Sequence, residues 1–123
     1  MAEKLILVAD DDRDLVTALS IRLRAAGYEV IGAHDGDEAC EVAHEQKPDL
    51  VIMDIRMPAG GGFDSTDRLK HSLSTRNIPV IFLTAFDDED MREQARSLGC
   101  AGYFRKPFDD AEFMESIRTV LGS

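Results

Sequence analysis

Five short apolar runs recur along the chain: Lys4 to Ala9, Tyr28 to Ala33, Leu50 to Met53, Val80 to Leu83 and Ala101 to Phe104. The first, third and fourth are nearly continuous Val, Ile and Leu, as strands buried on both faces require. Between the runs the apolar positions change to helical spacing. Leu15, Leu19, Leu23 and Ala26 follow a four-residue rhythm, with Arg13, Thr17, Ser20 and Arg24 on other faces. Met91, Ala95 and Leu98 form a second stripe, and Phe113, Ile117, Val120 and Leu121 a third. Ala39, Val42 and Ala43 give a weaker one, and Phe63, Thr66, Leu69 and Leu73 another.

Stop signals sit where this alternation wants them. Gly27 and Gly99 follow the first and fourth helices as left-handed C-terminal caps. Pro48 closes the second helix, and Pro79 stands at the entry to the fourth strand. Asp35, and Asp109 or Asp110, are candidate N-caps. Strand and helix thus alternate five times with short connections. That pattern predicts a parallel sheet with helices on both faces, because parallel neighbours need right-handed crossovers. No linker interrupts the sequence, and residues 1–123 read as one domain.

Charge narrows the function. Asp and Glu number 24 against 14 Lys and Arg, a formal charge of -10. Such a surface repels phosphate backbones and anionic lipids, so neither direct nucleic-acid nor membrane binding is expected. No apolar run approaches the roughly 20 residues that span a bilayer. The start, MAEKLILVADDD, is unlike a signal peptide, and a cytoplasmic location is expected. Cys40 and Cys100 lie far apart without a CxxC, indicating neither a disulfide scaffold nor a zinc site. Both read as small packing residues. His34, His44 and His71 have no metal-ligand spacing and read as surface residues.

In an open parallel sheet, ligands bind beyond the carboxyl ends of the strands. The first run ends in Asp10, Asp11 and Asp12, the third in Asp54, and the fourth in Thr84 and Ala85. Arg105, Lys106 and Pro107 follow the fifth. In register, these place several carboxylates, a hydroxyl and an ammonium along one edge. Two unit charges about 4 Å apart repel by about 4 kcal/mol at an effective dielectric near 20. Either a carboxylate takes a proton or a divalent cation neutralises the group. Hard oxygen ligands at a partly open site suit Mg2+, with Mn2+ a further possibility. Beside an ammonium and a hydroxyl, such a cation completes a site for a transferring phosphoryl group, with Asp54 supplying the attacking oxygen. Asp10 to Asp12 taken alone also fit a solvated helix start. Asp54 resists a bland reading, because it interrupts the apolar stretch Leu50 to Ile55.

The segments ILVADDD (6–12), DLVIMDIRMP (49–58), Gly62, PVIFLTA (79–85) and AGYFRKPF (101–108) together resemble the receiver domain of bacterial two-component response regulators. The resemblance covers essentially the whole chain. It implies a flavodoxin-like, doubly wound (βα)5 fold of the α/β class, strand order 2-1-3-4-5. It implies that Asp54 is the phosphoacceptor, receiving phosphoryl from the phosphohistidine of a sensor histidine kinase or phosphotransfer protein. Asp11 would bind Mg2+ directly and Asp10 largely through water, with Asp54 and the backbone carbonyl of Arg56 as further ligands. Lys106 would pair with the phosphoryl group and Thr84 would bond it once formed. The Lys106–Pro107 bond would be cis. Tyr103 matches an aromatic switch residue that moves inward with Thr84, although it also fits an edge-strand residue half-covering the core. Asp12 matches no required position and is left to capping. The readout surface would be the fourth helix, fifth strand and fifth helix, around Met91 to Phe113. It would address a downstream protein, an output domain outside this chain, or a phosphorylation-dependent dimer. The chain is thus expected to be a phosphoacceptor rather than an enzyme, with autophosphorylation from small donors and autodephosphorylation.

Arg56 and Phe86 depart from the commonest choices. Lying two residues after Asp54 and Thr84, they are expected at the mouth of the site, where a cation and a ring would hinder attacking water. Gly60 and Gly61 read as permissive loop residues. Three rival readings meet contrary residues. A haloacid-dehalogenase-like phosphatase wants an Asp where Arg56 stands. A flavodoxin-like cofactor carrier wants a hydroxyl- and Gly-rich phosphate loop where DDDRD stands. A receiver-like interaction module without phosphorylation usually lacks an acid, the Thr or the Lys, all present here.

Overall fold

The computed structural model describes residues 3–122. Five strands and five helices alternate: β1 (Leu5–Ala9), α1 (Arg13–Ala25), β2 (Glu29–Ala33), α2 (Gly36–Gln46), β3 (Leu50–Asp54), α3 (Gly62–Lys70), β4 (Val80–Thr84), α4 (Glu89–Ser97), β5 (Gly102–Arg105) and α5 (Asp110–Leu121). The strands form one parallel sheet in the order β2-β1-β3-β4-β5. The parallel sheet is the one the alternation predicts, and its order is the flavodoxin-like order the resemblance implies.

Successive strand residues point to opposite faces, and the core divides accordingly. Leu7, Ala9, Val51, Met53 and Phe82 meet Ala39, Cys40 and Ala43 of α2, Leu69 of α3 and Ala95 of α4. Ile6, Val8, Leu50, Ile52, Ile81 and Leu83 meet Leu19 and Leu23 of α1 with Phe113 and Ile117 of α5. The three inner strands are therefore apolar on both faces, whereas edge strands β2 and β5 are only partly buried.

Three caps fall at positions the sequence named, and a fourth, Asp88, at one it did not. Asp12, Asp35, Asp88 and Asp109 cap α1, α2, α4 and α5, each accepting backbone N–H groups with its carboxylate. Of the two candidates at α5, Asp109 is the cap and Asp110 opens the helix. Gly27 and Gly99 take the left-handed backbone, at φ +98° and +69°. α2 ends at Gln46, with Lys47 left-handed before Pro48.

Three apolar expectations need correction. The inner face of α1 is Val16, Leu19, Ser20 and Leu23, with Leu15 half-buried and Ala26 exposed at the helix end. Ser20 goes inside because its hydroxyl donates to Val16 O at 2.6 Å, leaving no orphan polar hydrogen. α3 stops at Lys70, so Leu73 falls beyond it and is 81% exposed. β5 runs one residue later than Ala101 to Phe104. Among the described residues no helix is long and apolar enough to cross a membrane. Cys40 is buried and Cys100 half-buried, both as free thiols.

Candidate functional site

Every predicted acid, hydroxyl and ammonium arrives at the carboxyl edge of the sheet. Asp10 follows β1 directly, fully buried, its amide donating to Ala33 O at 3.0 Å. Asp54 is the last residue of β3, paired with Leu83 and 6% exposed. Thr84 ends β4, fully buried, and pairs with Arg105 of β5. Lys106 is tied back through its amide to Thr84 O at 2.7 Å, and the Lys106–Pro107 bond is cis. Asp11 is exposed at the rim.

The side chains converge. One carboxylate oxygen from each of Asp10, Asp11 and Asp54 lies within 4.8 Å of the others. Lys106 Nζ donates to Asp10 Oδ2 at 2.7 Å and lies 3.7 Å from Asp54 Oδ2. Asp10 Oδ1 accepts the Asp12 amide at 3.0 Å, and Asp54 Oδ1 accepts the Arg56 amide at 3.4 Å. Burial raises the Asp54 carboxyl, and the neighbouring charge of Asp10 raises it further. Lys106 and the Arg56 amide oppose this, and the balance leaves it at about 7. Burial acts against the Lys106 ammonium, but Asp10 and Asp54 outweigh it and hold the group above the ordinary lysine value. One cation therefore faces two buried acids with a third at the rim. Such a donor set of hard oxygens fits a small divalent cation, whose charge would relieve the repulsion that protonation otherwise removes.

The rim residues also meet. The Arg56 guanidinium stacks 4.3 Å from the centroid of the Phe86 ring, which is 57% exposed. Thr84 is turned onto its own loop: its hydroxyl donates to Phe86 O and accepts the Phe86 amide at 3.0 Å. Tyr103 half-covers the core on the α4 side, and its hydroxyl donates to Asp87 Oδ1 at 3.3 Å. The Asp12 carboxylate caps α1, accepting the Asp14 and Leu15 amides at 3.1 and 3.2 Å.

Several supporting residues escaped the sequence. His34 is half-buried rather than a surface residue, with Nδ1 3.3 Å from the Asp10 carbonyl oxygen. His44 and His71 are exposed, each with Nδ1 on a carbonyl of its own helix. Gly36 and Gly61 allow close backbone approaches: a Cβ would lie 1.8 Å from Gly60 O and 2.7 Å from Ile55 O, respectively. Gly61 is therefore constrained, not permissive. At Gly62, the glycine the resemblance singles out, a Cβ would lie 2.4 Å from Asp54 O, the carbonyl of the acid itself. Nothing in the sequence signals the demand at Gly36, because the Ala59–Gly60 backbone that approaches it belongs to the loop after β3.

The fold that gathers these side chains has counterparts among solved structures. The chemotaxis protein CheY4 of Vibrio cholerae superposes with a TM-score of 0.90 at 28% identity, covering 98% of this chain and all of that one. The receiver domain of sensor histidine kinase PA1611 from Pseudomonas aeruginosa, which has a magnesium ion coordinated in its active-site cleft, superposes at 0.89 with 32% identity, covering 99% and 100%. The chain belongs to the response regulator receiver domain family, whose profile matches residues 6–118. The polar-differentiation response regulator DivK of Brucella anthropi is 36% identical over 97% of both chains. The transcriptional regulatory protein PdtaR of Mycobacterium tuberculosis is 41% identical over 94% of this chain, which spans 56% of that protein's length.

Proposed function

We propose that this chain is a phosphoacceptor in two-component signalling, with Asp54 as the site of modification. The observation that carries the reading is the meeting of three carboxylates with Lys106, 2.7 Å from Asp10 and 3.7 Å from Asp54. The donor is the phosphohistidine of a sensor histidine kinase or phosphotransfer protein. An Asp54 carboxylate oxygen forms a bond to phosphorus while the P–N bond breaks. The imidazole keeps that electron pair and takes up a proton, and an acyl phosphate remains on Asp54. The same attack on acetyl phosphate would give autophosphorylation without a kinase, and water attacking phosphorus would return the free carboxylate. Asp10, Asp11, Asp54 and the Arg56 backbone carbonyl would hold Mg2+ or Mn2+. When bound, the ion supplies positive charge against the carboxylates and the phosphoryl oxygens. The magnesium in the related kinase receiver supports this assignment.

Lys106 pairs with the phosphoryl oxygens in place of Asp54. Thr84 turns its hydroxyl to them, and Tyr103 follows inward. Inverting a two-state population from 1:99 to 99:1 needs about 5.5 kcal/mol of differential stabilisation. A charge-assisted hydrogen bond and an ion pair in a half-desolvated site are of that order. The surface changed would be α4, β5 and α5, offered to a downstream protein, an output domain or a second copy of the chain. Arg56 and Phe86, stacked together, would hinder in-line water and lengthen the life of the acyl phosphate.

Incubation with a phosphorylated histidine phosphotransfer domain and Mg2+ tests the transfer. The product should be stable to mild acid, cleaved by hydroxylamine as an acyl phosphate is, and absent from Asp54→Asn. Label that resists hydroxylamine, or that persists in Asp54→Asn, contradicts the assignment.

A further inference from the structure

A threonine hydroxyl has one hydrogen to give. In Thr84 that hydrogen goes to Phe86 O, while the Phe86 amide closes the ring from the other side. To donate to an oxygen on Asp54, the hydroxyl must release Phe86, and the backbone after β4 must accommodate the change. The residue that follows, Asp87, is fastened to two other elements. Arg92 of α4 grips its carboxylate with both prongs, Nε to Oδ1 at 2.8 Å and Nη2 to Oδ2 at 2.5 Å. Tyr103 of β5 adds its hydroxyl to Oδ1 at 3.3 Å. The Asp87 side chain is only 9% exposed. The hydrogen bonds from Arg92 hold its carboxyl below the usual range, burial acting the other way. Burial and the facing carboxylate push the Tyr103 phenol up to about 12. Bidentate guanidinium–carboxylate pairs resist displacement more than single contacts, because both partners are fixed in orientation.

We propose that Asp87 is a positioning residue for the switch: gripped by Arg92 and Tyr103, it fastens the segment after β4 in the conformation that turns Thr84 onto Phe86, and so restrains phosphorylation of Asp54. The proposal rests on the reading of Asp54 as phosphoacceptor. Its consequence is specific to this chain's acid–arginine–tyrosine contact. Loosening the contact enlarges the fraction of molecules in which Thr84 is free to meet a phosphoryl group, and the reaction rate rises with that fraction.

The test compares wild type, Arg92→Gln, Arg92→Lys and Asp87→Ala, each with Mg2+ and acetyl phosphate, by intact mass against time. Arg92→Gln and Asp87→Ala should phosphorylate about threefold to tenfold faster, with Arg92→Lys between them and wild type, since it keeps the charge and loses the fork. Arg92 lies on an exposed helix face, so its variants fold even if Asp87→Ala does not. The contact is read separately, without any donor, from the 13Cζ resonances of the two tyrosines. The Tyr103 signal should move and titrate at lower pH in Asp87→Ala, while Tyr28 serves as the internal control. Equal phosphorylation rates in wild type and Arg92→Gln, or an unmoved Tyr103 resonance, would overturn the proposal. Absence of phosphorylation in wild type and variants alike would overturn it by a different route, by removing the Asp54 reading beneath it.

Discussion

Asp54 sits at the end of a strand whose other residues are all apolar and buried, with a second buried acid beside it. Its carboxyl is raised to about 7 by burial first and Asp10 second. Between the ordinary carboxylate range and about 7, the folded protein keeps a proton that the unfolded chain has lost. The group therefore favours folding at low pH, and that contribution is lost as the pH rises through about 7. In chelator at pH 8, Asp54→Asn should raise the melting temperature by about 4–8 °C, roughly 1–2 kcal/mol, with little gain at pH 5. A lower melting temperature for the variant at pH 8 would contradict this electrostatic account. Arg56 and Phe86 act at the same scale. Replacing the stacked pair with Arg56→Asn and Phe86→Glu should shorten the phosphorylated lifetime severalfold. A time course of phosphate loss checks it, and equal half-lives would exclude the shielding role. The sequence made the chemistry at these positions legible because each reactive residue directly follows an apolar run. It could not show the stack, nor that Asp87 receives Tyr103, because those contacts join segments far apart in the chain.

At the scale of elements, the strands and most caps were readable and the helix faces less so. β1, β3 and β4 announce themselves by unbroken Val, Ile and Leu, and the caps at Asp12, Asp35 and Asp109 were legible, whereas the Asp88 cap of α4 was not among the candidates. Ser20 misled because hydropathy takes no account of a hydroxyl satisfied by its own helix. Leu73 misled because its spacing continues a helix that has already ended. The glycines were harder still, since their need is set by backbone from elsewhere in the fold. Gly36 carries α2 against the β3–α3 loop, its amide donating to Pro58 O at 3.0 Å. Because a Cβ there would lie 1.8 Å from Gly60 O and 2.6 Å from Ala59 O, the loop would have to move. Gly36→Ala should cost about 3 kcal/mol, read as a lowered urea midpoint, and should also weaken Mg2+ binding. An unchanged midpoint would show that the approach is slack.

For the whole molecule, the excess of acids takes on two roles. Asp10, Asp11 and Asp54 form one concentrated site at the edge of the sheet, while most of the remaining acids lie on a solvated surface. The site connects to the rest of the fold through Lys106 and Thr84, which belong to the segments that lead into α5 and α4. A change of ligand at Asp54 is thereby placed to act on the far face through two adjacent connections. If Asp54 takes a phosphoryl group with the help of a divalent cation, intact mass after incubation with Mg2+ and acetyl phosphate will register it. The wild type should gain one phosphoryl group, a gain abolished by chelator and absent from Asp54→Asn. No gain by the wild type, or an undiminished gain by Asp54→Asn, would contradict that role for Asp54.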